Sequence, residues 1–134
     1  MILRFSSGGP WEATYGYSRA VRAGDLVISA GCTSTVDGVV TGAGDAYAQA
    51  TTAFGIALSA LREAGAQIGD VVRTRMYVTD RADADAVGRA HGDIFGAVRP
   101  AATMVIVAGL LDPAMAVEVE VEAYVGGRAR IVQV

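Results

Sequence analysis

Cysteine and histidine are almost absent: Cys32 and His91 each stand alone among 134 residues. A single thiol closes no intramolecular disulfide, which suits a reducing compartment. One thiol with one imidazole does not make an all-protein zinc site. Long apolar runs are missing too. The longest, such as residues 101–111, are too short to cross a bilayer. No charged segment followed by an apolar stretch opens the sequence, so a secretory signal is not expected. Basic charge is scarce: 11 Lys+Arg against 14 Asp+Glu leave a net charge of −3. That is no footprint for a nucleic-acid backbone, so neither DNA nor RNA is an expected partner. Gly8-Gly9 and the 42–44 stretch lack the strand–turn–helix context and the Lys-Ser/Thr of a phosphate cradle. The expectation is a soluble cytoplasmic protein without a metal or a membrane partner.

What the chain has in surplus is apolar surface, 52% hydrophobic residues against 19% charged. In a small domain that points to a subunit interface. The length fits one domain over residues 1–134, with 126–134 as a tail.

The element order reads from periodicity. Residues 2–5 suggest a short strand, and 6–10 a Gly/Pro/Ser loop. Residues 11–16 show no period and are expected to wrap the surface. Residues 17–22 and 25–31 read as a hairpin turning at Ala23-Gly24-Asp25, and Asp37-Gly38 is a second turn. The spacing of Tyr47, Ala50, Phe54, Ala57, Leu58 and Leu61 predicts a helix over 45–64, capped by Asp45 and stopped by Gly65. Residues 71–78 read as a strand with Val72, Thr74, Met76 and Val78 on one face and Arg73, Arg75 and Tyr77 on the other. Asp80 or Asp83 opens a second helix to about residue 97, ended by Arg99-Pro100. Strands over 101–108 and 117–125 follow. The sum is an α+β fold, a mixed sheet with two helices packed on one face.

The final strand is the most informative. Glu118, Glu120 and Glu122 alternate with Val117, Val119, Val121 and Ala123, apolar on one face and acidic on the other. Carboxylates at i and i+2 lie roughly 7 Å apart on one face. Their repulsion is about 0.6 kcal/mol in water and about 2.4 kcal/mol at an effective dielectric near 20. Burial against another subunit therefore pushes one carboxyl up in pKa, and such a group protonates a carbon or activates a water. The plainer reading is a solvated acidic face. Tyr17 is a candidate hydrogen-bonding residue or simply an interface tyrosine. Cys32 is either a pocket nucleophile or an inert buried thiol, and His91, on a helix of the opposite sheet face, is not placed to activate it. Trp11 reads as a pocket lid or a surface anchor.

Taken in order, several segments resemble the Rid/YjgF superfamily, the reactive intermediate imine deaminases, some of which carry the label endoribonuclease. They are Gly16-Tyr17, Val27-Ile28-Ser29-Ala30-Gly31, Val71-Val72-Arg73-Thr74-Arg75-Met76-Tyr77-Val78-Thr79-Asp80, Phe95, Arg99-Pro100-Ala101-Ala102-Thr103 and Val117-Glu118-Val119-Glu120. The resemblance covers residues 1 to about 125. It implies a chorismate-mutase-like fold, a homotrimer with a central barrel, a small-ligand pocket between subunits, and cofactor-free hydrolysis of enamines and imines such as 2-aminoacrylate. Carried over by position, Tyr17 matches a pocket tyrosine, and Glu118 matches the pocket glutamate, with Glu120 as the other register. Ala30 stands where deaminases often have Ser, Cys32 follows Gly31 where they have Gln, and Gly88 replaces a common Asn. Ala102 replaces the arginine that grips the substrate carboxylate. By this resemblance Glu118 and Tyr17 are the catalytic candidates. Arg19, Ala30, Gly31, Cys32, Ala102, Thr103, Met104 and Glu120 are the substrate-binding ones. A replacement guanidinium is sought first at Arg19, then at Arg73 and Arg75. The chain reads as a divergent member for which standard 2-aminoacrylate deamination is not expected. The alternative is a trimer that binds a small metabolite without turning it over.

Overall fold

The computed structural model describes residues 1–134. Eight strands and three α-helices follow in the order β1 (Ile2–Phe5), α1 (Pro10–Tyr15), β2 (Ala20–Ala23), β3 (Leu26–Ser29), β4 (Thr35–Val36), β5 (Val39–Val40), α2 (Ala46–Glu63), β6 (Val71–Val78), α3 (Ala84–Phe95), β7 (Ala101–Ile106) and β8 (Val117–Tyr124). Six strands form one sheet in the order β1-β2-β3-β8-β6-β7, while β4 and β5 form a separate hairpin. Only β6 and β7 run parallel, linked through α3, so the sheet is mixed.

The core follows from two periodicities meeting. Along β8, Val117, Val119, Val121 and Ala123 are fully buried. Ala50, Ala53, Phe54, Ala57 and Leu61 of α2 belong to the same core cluster. Burying each valine side chain contributes about 1.5–3 kcal/mol. The Asp45 carboxylate accepts the Ala48 N–H at 3.0 Å and so caps the helix. Beyond its end, Gly65 adopts φ 94°, a left-handed conformation that costs glycine nothing. Gln49, outside the expected apolar stripe, is buried and clamps the loop before β8. Its Nε2 donates to the Ala114 carbonyl at 2.8 Å and its Oε1 accepts the Ala116 N–H at 2.7 Å.

Three expectations are corrected. Residues 11–16 are not featureless: Pro10 starts α1, and Gly16 at φ 76° ends it. Six residues are too few to display a period. The Tyr17 N–H then bonds the Glu12 carbonyl, so Tyr17 and Arg19 precede the strand, which starts at Ala20. On β6, Val72 is exposed and Val71 buried, because the register against β8 slips between Val71 and Arg73. The remaining differences are small. β7 ends at Ile106, β8 at Tyr124, and a 3-10 turn over Arg81–Asp83, capped by Asp80, precedes α3. No helix is long and apolar enough to cross a membrane.

Candidate functional site

The sheet face away from the helices carries the three glutamates of β8, all half-buried. In register, Tyr77 lies opposite Glu118, Arg75 opposite Glu120 and Arg73 opposite Glu122. Their side chains reach diagonally instead. Arg75 Nη1 bonds Glu122 Oε1 at 2.7 Å, and the Tyr77 hydroxyl donates to Glu120 Oε1. Arg73 Nη2 turns the other way and donates to Thr103 Oγ1 at 2.8 Å. This one-step stagger consumes two carboxylates and leaves the third, Glu118, with no hydrogen bond from the chain.

A bulge shapes the ground beside Glu118. Ile28 pairs with Glu122, and Cys32 bridges Val119, so the β3 side spends one residue more than β8 over this stretch. Ser29 Oγ fills the gap in the ladder by accepting the Val121 N–H at 3.0 Å. Bulges bend a strand and re-aim side chains, and they recur next to active sites. Here the bend lays Gly31 directly beneath Glu118. A Cβ at position 31 would overlap the Glu118 carboxylate oxygen.

Arg19 closes the cluster. Its Nη1 donates to the Gly31 carbonyl at 2.8 Å and approaches Cys32 Sγ at 3.5 Å. Its guanidinium lies 5.6 Å from the centre of the Tyr17 ring. On its other side, Arg19 Nε is 3.8 Å from Glu12 Oε2. Glu12 is itself buried and accepts the Ser7 N–H at 3.0 Å and the Ser7 hydroxyl.

The charges are tuned accordingly. Burial, with the nearby Glu120 charge added, raises the Glu118 carboxyl above the ordinary glutamate value, and Arg19 only partly opposes this. Burial also raises the Cys32 thiol, against the pull of Arg19. Burial alone would raise Glu12, but hydrogen bonds from Ser7 and Ser6 and the Arg19 charge outweigh it and hold that carboxyl low. The Cys32 thiol is 1% exposed and stays protonated. Its S–H can donate to the Ala30 carbonyl at 3.4 Å.

The fold thus brings Glu118, Tyr17, Arg19, Ala30 and Gly31 to one end of the sheet, with Glu120 next along β8, and turns the adjoining Cys32 into the core beside Val119. It does not bring Ala102, Thr103 and Met104 there within one chain, because β7 lies two strands beyond β8. Thr103 shares the open face in register with Arg75, whereas Ala102 and Met104 are in register with the buried Thr74 and Met76. His91 is on the helix side: its Nε2 bonds Thr74 Oγ1 at 2.8 Å, and its ring centre lies 4.8 Å from that of Phe95. Contrary to expectation, Cys32 also faces the helix side, in the core cluster with Val119, but no hydrogen bond joins it to His91. Trp11 stacks on Tyr15 at 5.4 Å, and both are exposed on α1. No group of three or more His, Cys, Asp or Glu side chains is arranged to hold a metal ion.

Residue periodicity alone missed Glu12, Ser29 and the pairing role of Tyr77. For Glu12 a signal existed. An acid in the first turn after a helix-starting Pro10 is a favoured arrangement, and the preceding Ser6-Ser7 supplies its donors.

The comparisons with known proteins agree with this architecture. The family model described as Endoribonuclease L-PSP matches residues 10–125. SCO2049 of Streptomyces coelicolor is 47% identical over 125 residues, 93% of each chain. The crystal structure of Rv2704 from Mycobacterium tuberculosis, a member of the highly conserved YjgF/YER057c/UK114 family, superposes with a TM-score of 0.84 at 44% identity and covers 93% of this chain and 100% of that one. The YjgF gene product of E. coli gives a TM-score of 0.76 at 26% identity, over 91% and 93% of the two chains.

Proposed function

The chain belongs to the Endoribonuclease L-PSP family of Rid/YjgF proteins, and on that footing we propose that it hydrolyses small reactive imines or enamines, as a cytoplasmic homotrimer with its pocket between subunits. The observation that carries this reading is Glu118: a half-buried carboxyl, raised by burial, with no partner in its own chain.

In the proposed reaction the protonated Glu118 gives its proton to the enamine carbon, forming an iminium ion. Water then adds to the iminium carbon while the Glu118 carboxylate takes the water's proton. Collapse of the carbinolamine expels ammonia and leaves the carbonyl product. General acid–base work of this kind contributes about 10²- to 10⁴-fold. The sequence contains no lysine, so no side-chain Schiff base competes with this route. Tyr17 positions the substrate. Backbone groups at Thr103-Met104, brought by a neighbouring subunit, hold its oxygens. The reading asks a second subunit to complete the pocket, since two clefts of the single chain, of about 380 Å³ and 430 Å³, have linings that exclude Glu118.

Ala102 sets the substrate class. A bidentate arginine–carboxylate pair is strong and oriented, and alanine supplies none of it. Arg19 is the replacement in this reading, since Gly31 and Cys32 engage only its Nη1. Preferred substrates then carry no 2-carboxylate, or one that Arg19 reaches, and 2-aminoacrylate is a poor one. The same Ala102 favours a second reading, a trimer that holds a metabolite without turning it over. A nuclease reading is the weakest, given the net charge of −3 and a lone His91 committed to Thr74.

The test is ammonia release from freshly generated 2-iminopropionate and from imines lacking its carboxylate, with the Glu118→Ala variant as control. Release from the latter set, lost in the variant, supports the hydrolase. Rates no higher than the variant's on every imine, with ligand binding retained, leave the binding reading. An Arg19→Met variant with unchanged affinity for carboxylate ligands removes Arg19 from the account.

A further inference from the structure

Arg19 has a second side. Between the loop that follows β1 and the outer flank of α2 runs an open cleft of about 380 Å³, on whose wall Arg19 also lies. That volume is within the range of small-molecule sites. The cleft is separate from the sheet face that carries Glu118.

Gly55 is the clue to its purpose. It sits mid-way along α2 on the exposed flank, and a Cβ there would meet no atom within 4 Å. After proline, glycine is the worst residue for a helix interior. No packing contact in the chain requires it. What the missing side chain does is leave the cleft open. Two hydroxyls of the same wall are also unspent. The Thr51 hydroxyl donates back to the Tyr47 carbonyl at 3.0 Å. Those of Thr52 and Ser59 bond nothing within the chain and line the cleft. Phe5 and Ile56 supply an apolar surface beside them.

Charge gives the cleft a direction. Arg22 Nη1 donates to the Ala64 carbonyl at 2.8 Å, which fixes β2 along the C-terminal end of α2. Glu63 borders the cleft beside Ala64, next to this anchored end, and Arg19, three residues before Arg22, lines it as well. Arg19 spends Nη1 on Gly31 and Cys32, and the Glu12 carboxylate, 3.8 Å from Nε, offsets part of its charge, but its Nη2 bonds nothing within the chain.

We propose that this cleft binds a small monocarboxylate with an apolar body. The carboxylate lies at Arg19, the chain runs along Phe5 and Ile56, and the hydroxyls of Thr52 and Ser59 receive polar substituents. Glu63 repels a second negative group, so dicarboxylates are excluded.

Amide-resolved NMR titration of the full-length protein with hexanoate and with adipate tests this. Hexanoate should give saturable shifts at Ser6, Thr52, Gly55 and Ser59, with adipate at least about tenfold weaker. Glu63→Gln should narrow that gap. The Gly55→Leu variant, which fills the cleft without touching the core, should weaken hexanoate at least about tenfold while leaving imine hydrolysis and the melting temperature at or above the parent values. Because Gly55 is remote from Glu118, this outcome stands or falls whether or not the hydrolase reading does. Non-saturating shifts, shifts confined to residues 30–32 and 118, or unchanged hexanoate affinity in the Gly55→Leu variant would each overturn the proposal.

Discussion

The two ends of the acidic row on β8 differ more than their sequence does. At one end Glu122 is locked to Arg75 at 2.7 Å, and both side chains are about one-third exposed. In the middle Glu120 accepts the Tyr77 hydroxyl. At the other end Glu118 has the same residue type, strand and face, but no partner, and it lies over the Gly31 backbone. One residue of stagger between β6 and β8, plus one extra residue in the β3 bulge, produces the whole difference. A pattern of alternating glutamates marks a half-exposed strand. Only the neighbours decide which glutamate is a surface ion pair and which is a poised acid.

The largest expected effect breaks the comparison at its poised end. Glu118→Gln should lower imine hydrolysis by about 10²- to 10⁴-fold, whereas Glu122→Gln should change it only a few-fold at most. Stability should move the opposite way. Glu118 binds its proton more tightly when folded, so between the ordinary glutamate value of 4.5 and the raised folded value the native state holds more protons than the unfolded one. Stability therefore falls as pH rises through that window. Glu118→Gln should accordingly melt higher than the parent at neutral pH, and the gain should vanish below the ordinary glutamate value. Melting curves across pH check this.

The next effect sharpens the role of the bulge. Gly31→Ala places a Cβ where the Glu118 carboxylate oxygen lies. The carboxylate is the free end of a flexible side chain and can swing away, so the stability cost should stay below about 1 kcal/mol. The displaced carboxyl should titrate closer to the ordinary glutamate value, and activity should drop at least about tenfold. Carbon NMR of the Glu118 carboxyl and steady-state rates report the two halves separately.

Glu12 offers a contrast in sign. Its carboxyl is held low in the folded state, so its contribution is present above 4.5 and lost as pH falls through the depressed value. Glu12→Gln should cost about 1.5–3 kcal/mol at neutral pH, the range for hydrogen bonds to a buried charge. It should also flatten the acid limb of the stability profile, as read by denaturant unfolding at several pH values. The smallest effect belongs to the paired end. Arg75→Met should leave the melting temperature nearly unchanged, and any loss should disappear in high salt, as for exposed ion pairs.

Much of this architecture was legible in the residues, for a physical reason in each case. α2 and β8 carry strong periods because each has one face in the core, and the bounds of β6 are readable for the same reason. Asp45, Gly65 and Asp37-Gly38 announce themselves by the backbone conformations they favour. Asp37 and Gly38 indeed adopt φ 50° and 79° at the β4–β5 turn. α1 was hidden because six residues bury only Glu12. Val72 departs from the alternation because a bulge shifts it by one without leaving a mark in the sequence. The candidate site was legible as a set of residues but not as an arrangement. Gly31 under Glu118, Cys32 turned inward, and Arg19 bridging to Glu12 all follow from the β3 bulge. The separation of β7 from β8 by a whole strand depends on sheet order, which local pattern does not encode.

The central claim, that Glu118 is a partnerless carboxyl raised by burial, is tested most directly by titrating its side-chain carboxyl carbon by NMR in the intact protein. The account predicts a midpoint above the ordinary glutamate value of 4.5 that falls toward it in the Gly31→Ala variant. A midpoint at or below that value in the parent protein would contradict it.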